Sequence, residues 1–279
     1  MKKRSLLLIT VVFLLSACGK SAALVPAVTP TAMGQEHAGH SGHGDAAAGD
    51  GVQAVFKLAS SEQAKANQDT PVTIQILDKD GKSIENFDLN HEKKMHLIVV
   101  NKDLSFFKHI HPEYKGSGLF TITTLFPAGG NYRLFADIIP SGKGNVVKSN
   151  SLTVQGDTPA TIELQPDGKL TKTVDGTEVT LAMDHLMAGM DINLAYTFKD
   201  AVTQAPVKNL QPYLGAVGHV VILDANTVQY LHVHPTDEKT TGPEAKFMTK
   251  FPKSGIYKIW GEFQRDGKVL IVPFVVKVP

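Results

Sequence analysis

From Val52 onward, apolar residues fall into short runs or strict alternations, broken by Gly, Pro, Asn and Asp. Runs of this length bounded by turn residues read as β-strands. Seven are expected in the first half: 52–58, 72–77, 95–100, 106–110, 119–126, 132–139 and 146–154. Eight more are expected at 161–164, 178–183, 192–198, 219–223, 228–233, 245–251, 256–263 and 269–276. Helical periodicity is confined to 60–67, enough for a turn or two. The pattern predicts an all-β chain of two tandem immunoglobulin-like antiparallel β-sandwiches, residues 52–156 and 157–279, with Gly156-Asp157-Thr158-Pro159 at the boundary.

The two halves are copies of one another. At an offset of 123, Ile84, Asn86 and Phe87 align with Val207, Asn209 and Leu210, and the run His96-Leu97-Ile98-Val99-Val100 aligns with His219-Val220-Val221-Ile222-Leu223. In each copy the second histidine follows the first by thirteen positions, a third follows two later, and proline comes next. These are His96, His109, His111 and Pro112, then His219, His232, His234 and Pro235. A two-residue insertion then moves the offset to 125, where Phe126-Pro127 through Tyr132 to Phe135 aligns with Phe251-Pro252 through Tyr257 to Trp260. The shared Pro, Gly and Tyr read as a tight turn feeding a strand whose aromatic packs at a sandwich corner.

The histidine spacing carries the chemistry. A symmetric loop centred between Lys102 and Asp103 would set His96 opposite His109, and one centred between Ala225 and Asn226 would set His219 opposite His232. Cross-strand Cβ atoms lie roughly 4.5 to 5.5 Å apart. The third histidine, two residues on, points to the same face. Three converging imidazoles can share one ion at about 2.0 to 2.1 Å. A purely structural polar cluster is the competing reading, but crowded imidazoles without metal need hydrogen-bond partners and repel one another once protonated. The residues therefore predict two metal sites, His96, His109 and His111, and His219, His232 and His234. Copper is the expected ion and zinc the alternative, because Mg²⁺ and Ca²⁺ prefer oxygen ligands. Cys18 is the only cysteine, and with it acylated no thiolate is left for a blue-copper site. Met183, His185 and Met187 alternate and on a strand would share one face, which makes them accessory candidates, although such methionines also read as core filling. Met95 and His91 are further candidates near the first site.

The N-terminus adds a location. Lys2-Lys3-Arg4 precedes an apolar run from Leu6 to Leu15, the form of a signal peptide over residues 1–17. Leu15-Ser16-Ala17-Cys18-Gly19 resembles a bacterial lipobox, which implies cleavage before Cys18 and its lipidation. The expected result is a protein anchored to the cell membrane by lipid on the extracytoplasmic side. Residues 18–51 are rich in Ala, Gly and Pro and read as a flexible tether, with His37, His40 and His43 as accessory metal ligands. A net charge of +1 with no basic stripe gives no support to nucleic-acid binding.

A family resemblance rests on Tyr213-Leu214-Gly215-Ala216-Val217-Gly218-His219, Tyr230-Leu231-His232-Val233-His234-Pro235, and Phe251-Pro252 through Trp260. These stretches resemble secreted bacterial β-sandwich domains related to the YtkA-like and cupredoxin-like proteins, which often accompany heavy-metal handling. The likeness covers about Leu181 to Val278 and, more faintly, Val72 to Val154. It implies a cupredoxin-like sandwich with His219, His232 and His234 as its shared polar residues. The expected function is binding of copper (or zinc) for sequestration, resistance or delivery to a metal-handling protein partner. The alternative is a cell-surface immunoglobulin-like module without metal. An enzyme has least support, since no HExxH motif or nucleophile constellation is present.

Overall fold

The computed structural model describes residues 51–58 and 63–279, all of it strand, turn or irregular chain with no helix. The signal peptide, Cys18 and the His37, His40 and His43 tract lie outside these residues, as does part of the helical turn expected at 60–67. The first half contributes β1 (Val52–Leu58), β2 (Asp69–Asp78), β3 (Phe87–Asp88), β4 (Met95–Asn101), β5 (Phe107–Ile110), β6 (Glu113–Tyr114), β7 (Leu119–Leu125), β8 (Gly130–Pro140) and β9 (Val146–Val154). The second contributes β10 (Thr171–Val174), β11 (Thr177–Met183), β12 (Asp191–Asp200), β13 (Gly218–Asp224), β14 (Tyr230–Val233), β15 (Glu244–Lys250), β16 (Gly255–Arg265) and β17 (Lys268–Val278).

Each half is an antiparallel sandwich with the same strand order. In the first, β1-β2-β7 faces β5-β4-β8-β9; in the second, β11-β12-β15 faces β14-β13-β16-β17. The short β3, β6 and β10 are additions at sheet edges. The polar stretch Thr171–Val174 has no apolar signature of its own and becomes a strand by pairing with β11. The expected strand at 161–164 does not form. Ile162 is exposed there and its N–H goes to Asp103 Oδ2 at 2.9 Å, while Leu164 packs against the contact between the halves.

The corner expected from the shared tyrosines is present twice. Tyr132 Oη donates to the Ala128 carbonyl and Tyr257 Oη to the Lys253 carbonyl, both at 2.9 Å. Each bond ties the start of a central strand to the turn before it, as in immunoglobulin-type sandwiches.

The runs around the first histidines are apolar at every position because both of their faces are covered. On β4, Met95, Leu97 and Val99 enter the core of the first sandwich, while Ile98 and Val100 point the other way. On β13, Val220 and Ile222 enter the second core, and Val221 and Leu223 face outward from it. Those outward residues meet one another. Ile98, Val100, Leu104 and Phe135 pack with Val221, Leu223, Tyr230 and Trp260 in one buried cluster. The two sandwiches thus stack four sheets deep, with the two histidine-bearing sheets innermost. Equivalent aromatic pairs close this contact: Phe107 on Trp260 (centroids 4.6 Å apart, planes at 15°) and Phe135 on Tyr230 (5.1 Å, 16°). Side chains alternate along a strand, so His96 and His219 lie on that same inner face.

Candidate metal centre

All six histidines of the two predicted triads converge as triads, although by a register different from the symmetric-loop expectation. Ile98 lies opposite His109, and Val221 opposite His232. Each loop is longer than supposed, so both strands slip by two positions. The register carried outward sets His96 beside His111 and His219 beside His234. A slip of two leaves every side chain on its original face, and convergence survives. The last residue of β4 and of β13 takes up the extra N–H groups. Asn101 Oδ1 accepts from Phe106 N at 2.8 Å, and Asp224 Oδ1 accepts from Val228 N and Gln229 N at 2.6 and 2.7 Å. Leu104 and Thr227, at matched positions, adopt left-handed φ values of 59° and 57°.

Within each triad one nitrogen per ring lies within 4.8 Å of the other two. The remaining nitrogens show which atoms those are. His96 Nε2–H donates to the Asn90 carbonyl at 2.8 Å, and His219 Nε2–H to the Tyr213 carbonyl at 3.0 Å. A carbonyl only accepts, so in the neutral rings both Nδ1 atoms are bare. His109 Nδ1–H meets Glu262 Oε2 at 2.6 Å, and His232 Nδ1–H meets Asp137 Oδ2 at 2.8 Å. With the carboxylates ionised, both Nε2 atoms are bare as well. In the first triad, His96 Nδ1 and His109 Nε2 face one another at 2.9 Å, a contact whose donor is set by the tautomers of the two rings. In the second, His219 Nδ1, His232 Nε2 and His234 Nε2 are all buried without a hydrogen-bond partner, as is His111 Nε2 in the first.

Burial sets the charge. It pushes His96 down to about 4, with the neighbouring His109 adding to the effect. Burial likewise lowers His111 and His234 to about 2, and His219 and His232 well below the ordinary imidazole value. These five rings are therefore neutral at physiological pH, the form a metal needs. Asp137 is raised by its own burial, and a cation held by His232 would oppose that rise. Among the described residues, Asp137 and Glu262 are the only buried acidic side chains. Two carboxylates buried among these rings are expensive to ionise there unless a cation balances them.

The accessory candidates do not join these sets. Met95 points into the first sandwich core, on the face opposite His96. β11 ends at Met183, whose side chain packs on the second core; Asp184 Oδ1 then accepts from His185 N and Asn193 N and turns the chain. His185 and Met187 consequently lie off the strand and share no face with Met183. Met187 is exposed, and His185 Nδ1 rests 3.1 Å from Asp184. His91 was placed near the first site by sequence, but it packs on the second triad, its ring 4.1 Å from His234 and 5.0 Å from His219. Sequence reading passed over Asp137 and Glu262 altogether. Their signal was an acid at matched positions, 125 apart, flanked by apolar residues in two long strands.

The fold and site define a duplicated all-β protein with a three-histidine set on the inner sheet of each sandwich. Residues 47–156 and 172–279 match the family described as Domain of unknown function (DUF8832), and the chain belongs to that family, carrying its domain twice. No curated protein matches the chain. Among solved structures, Salmonella alpha-2-macroglobulin is similar at 12% identity over 82% of this chain and 14% of its own, with a TM-score of 0.29. The D00-D0 domain of intimin is similar at 12% identity over 81% and 100%, TM-score 0.24. A two-domain fibronectin type-III segment of chicken tenascin is similar at 11% identity over 80% and 98%, TM-score 0.22. The chain spans about 14% of the length of the two bacterial macroglobulins it matches.

Proposed function

We propose that this protein binds copper, or alternatively zinc, through the His96, His109, His111 set and the His219, His232, His234 set. It would do so outside the cytoplasm, as a lipoprotein anchored through Cys18. The observation that carries the reading is the convergence in each triad of one nitrogen per ring, all within 4.8 Å, with His111 Nε2, His219 Nδ1, His232 Nε2 and His234 Nε2 buried and without a hydrogen-bond partner. Two ligands on one ion, each at about 2.0 to 2.1 Å, lie a little over 3 Å from one another. An ion in each triad supplies the missing partner for its unpaired nitrogens at once.

The other ring nitrogens fit the same role. Metal-bound imidazoles donate their second N–H to a carbonyl or carboxylate, which fixes the tautomer and raises basicity. Four of the six rings do this. The lipobox, the tether histidines and the likeness to extracytoplasmic metal-handling domains support capture of ions at the cell surface, with storage or delivery by ligand exchange.

The test is metal content and Cu²⁺ or Zn²⁺ titration of the full chain with His37, His40 and His43 changed to Ala, beside the same chain carrying His219, His232 and His234→Ala. One or two tightly held ions, with one lost in the second protein and thermal stabilisation by excess metal, support the reading. If neither protein retains metal or responds to it, the histidines are structural and the chain is a surface module.

A further inference from the structure

The carboxylates that orient the two triads are exchanged. Glu262 stands on β16 of the second sandwich but bonds His109 of the first, and Asp137 stands on β8 of the first but bonds His232 of the second. Within its own sheet each acid sits directly across from its own half's first histidine, Glu262 beside His219 and Asp137 beside His96. Each carboxylate therefore stands between the triads, touching one across the contact and neighbouring the other along the sheet. The rings interleave likewise: His96 and His232 have centroids 5.0 Å apart, and His109 lies 5.9 Å from His232 and 6.1 Å from His219.

Resting on the metal reading above, we propose that the two triads are one two-ion centre, each site being completed by a positioning carboxylate from the opposite half. Glu262 serves the first site and Asp137 the second. An ion about 2.1 Å from a ring nitrogen is about 3 Å from that ring's centre, so with His96 and His232 centred 5.0 Å apart the two ions lie within about 11 Å of each other. At that separation two divalent ions repel enough to weaken the second about tenfold even with the dielectric of water. The half that supplies three ligands thus cannot make a site alone. Its second histidine needs the other half's acid to present Nε2 to the ion.

The exchange predicts a crossed pattern of mutational effects. His111 and His234 bond neither carboxylate, so His234→Ala leaves the first site intact and His111→Ala leaves the second. Both changes are made in the full chain lacking the three tether histidines, and Cu²⁺ and Zn²⁺ affinities are read by chelator competition, with the Cu²⁺ EPR spectrum as a signature of ligand geometry. In the His234→Ala protein, Glu262→Gln is expected to lower affinity roughly ten- to a hundredfold and shift the EPR parameters, about fivefold or more beyond the effect of Asp137→Asn. In the His111→Ala protein the order reverses. Equal effects, or each acid acting mainly on its own half, overturn the proposal while leaving metal binding standing. Absence of metal binding in every protein overturns both. Should the acid variants fail to fold, the unmutated centre loaded with two Cu²⁺ decides: dipolar coupling corresponding to about 11 Å or less supports one centre, and a clearly longer distance refutes it.

Discussion

Phe135→Ala tests whether the contact between the sandwiches is a true core. Phe135 is wholly buried, stacked on Tyr230, and its surroundings belong to both halves. Removing a fully buried phenylalanine from a packed cluster costs about 3 to 5 kcal/mol. For a unit of this size each kcal/mol lowers the melting temperature by about 2 to 4 °C, so a fall of roughly 6 to 20 °C is expected. The loss also loosens Tyr230, whose hydroxyl donates to Asp137 Oδ2 at 3.2 Å, and with it the carboxylate that positions His232. Phe247→Ala is the control. Phe247 is equally buried but lies in the second sandwich's own core. Differential scanning calorimetry of the metal-free chain should show comparable losses for both variants, whereas ion titration should show weakened binding at the second triad in Phe135→Ala alone. A cost below about 1 kcal/mol for Phe135→Ala would refute the reading, because deletion of an aromatic ring from a real core cannot be that cheap.

Acid should destabilise the metal-free protein. His96 titrates near 4 when folded against about 6.5 unfolded, so below 6.5 the unfolded chain binds the extra proton and stability falls as pH falls toward 4, by on the order of 3 kcal/mol from His96 alone; a melting temperature flat from pH 7 to 5 would contradict this. Two monovalent ions repel about a quarter as strongly as two divalent ones at the same separation, so a Cu⁺ pair should load with a smaller gap between first and second affinities than a Zn²⁺ pair, as chelator competition would show. His91→Leu, which installs the residue found at the matched position Leu214, should alter the Cu²⁺ EPR spectrum of the second site and leave the first unchanged. Tyr257→Phe removes one corner hydrogen bond and should cost about 1 kcal/mol in urea unfolding, with ion affinity untouched.

Much of this was legible along the chain. Alternation and turn residues placed the major strands within about three residues at each end, because a strand's period is written in its own side chains. The triads were legible for the same reason. Period two keeps His109 and His111 on one face, and even a register error of two could not move them. Two of the errors fell where side chains replace ladder bonds. Asn101 and Asp224 lengthen the hairpin loops, and Asp184 ends β11 before His185.

By itself, the sequence determined the all-β class, the duplication, the tyrosine corners and two sets of three histidines each sharing a face. Tertiary structure alone decided what those faces meet. An unbroken apolar run such as Leu97 to Val100 shows that both sides of a strand are covered, but nothing local names the cover. The cover proved to be the other copy, and that contact moved His91 onto the distant triad and gave each histidine pair the other half's acid. Periodicity records how a residue is turned, whereas hydrogen bonding across 95 or 153 residues depends on how two finished surfaces dock.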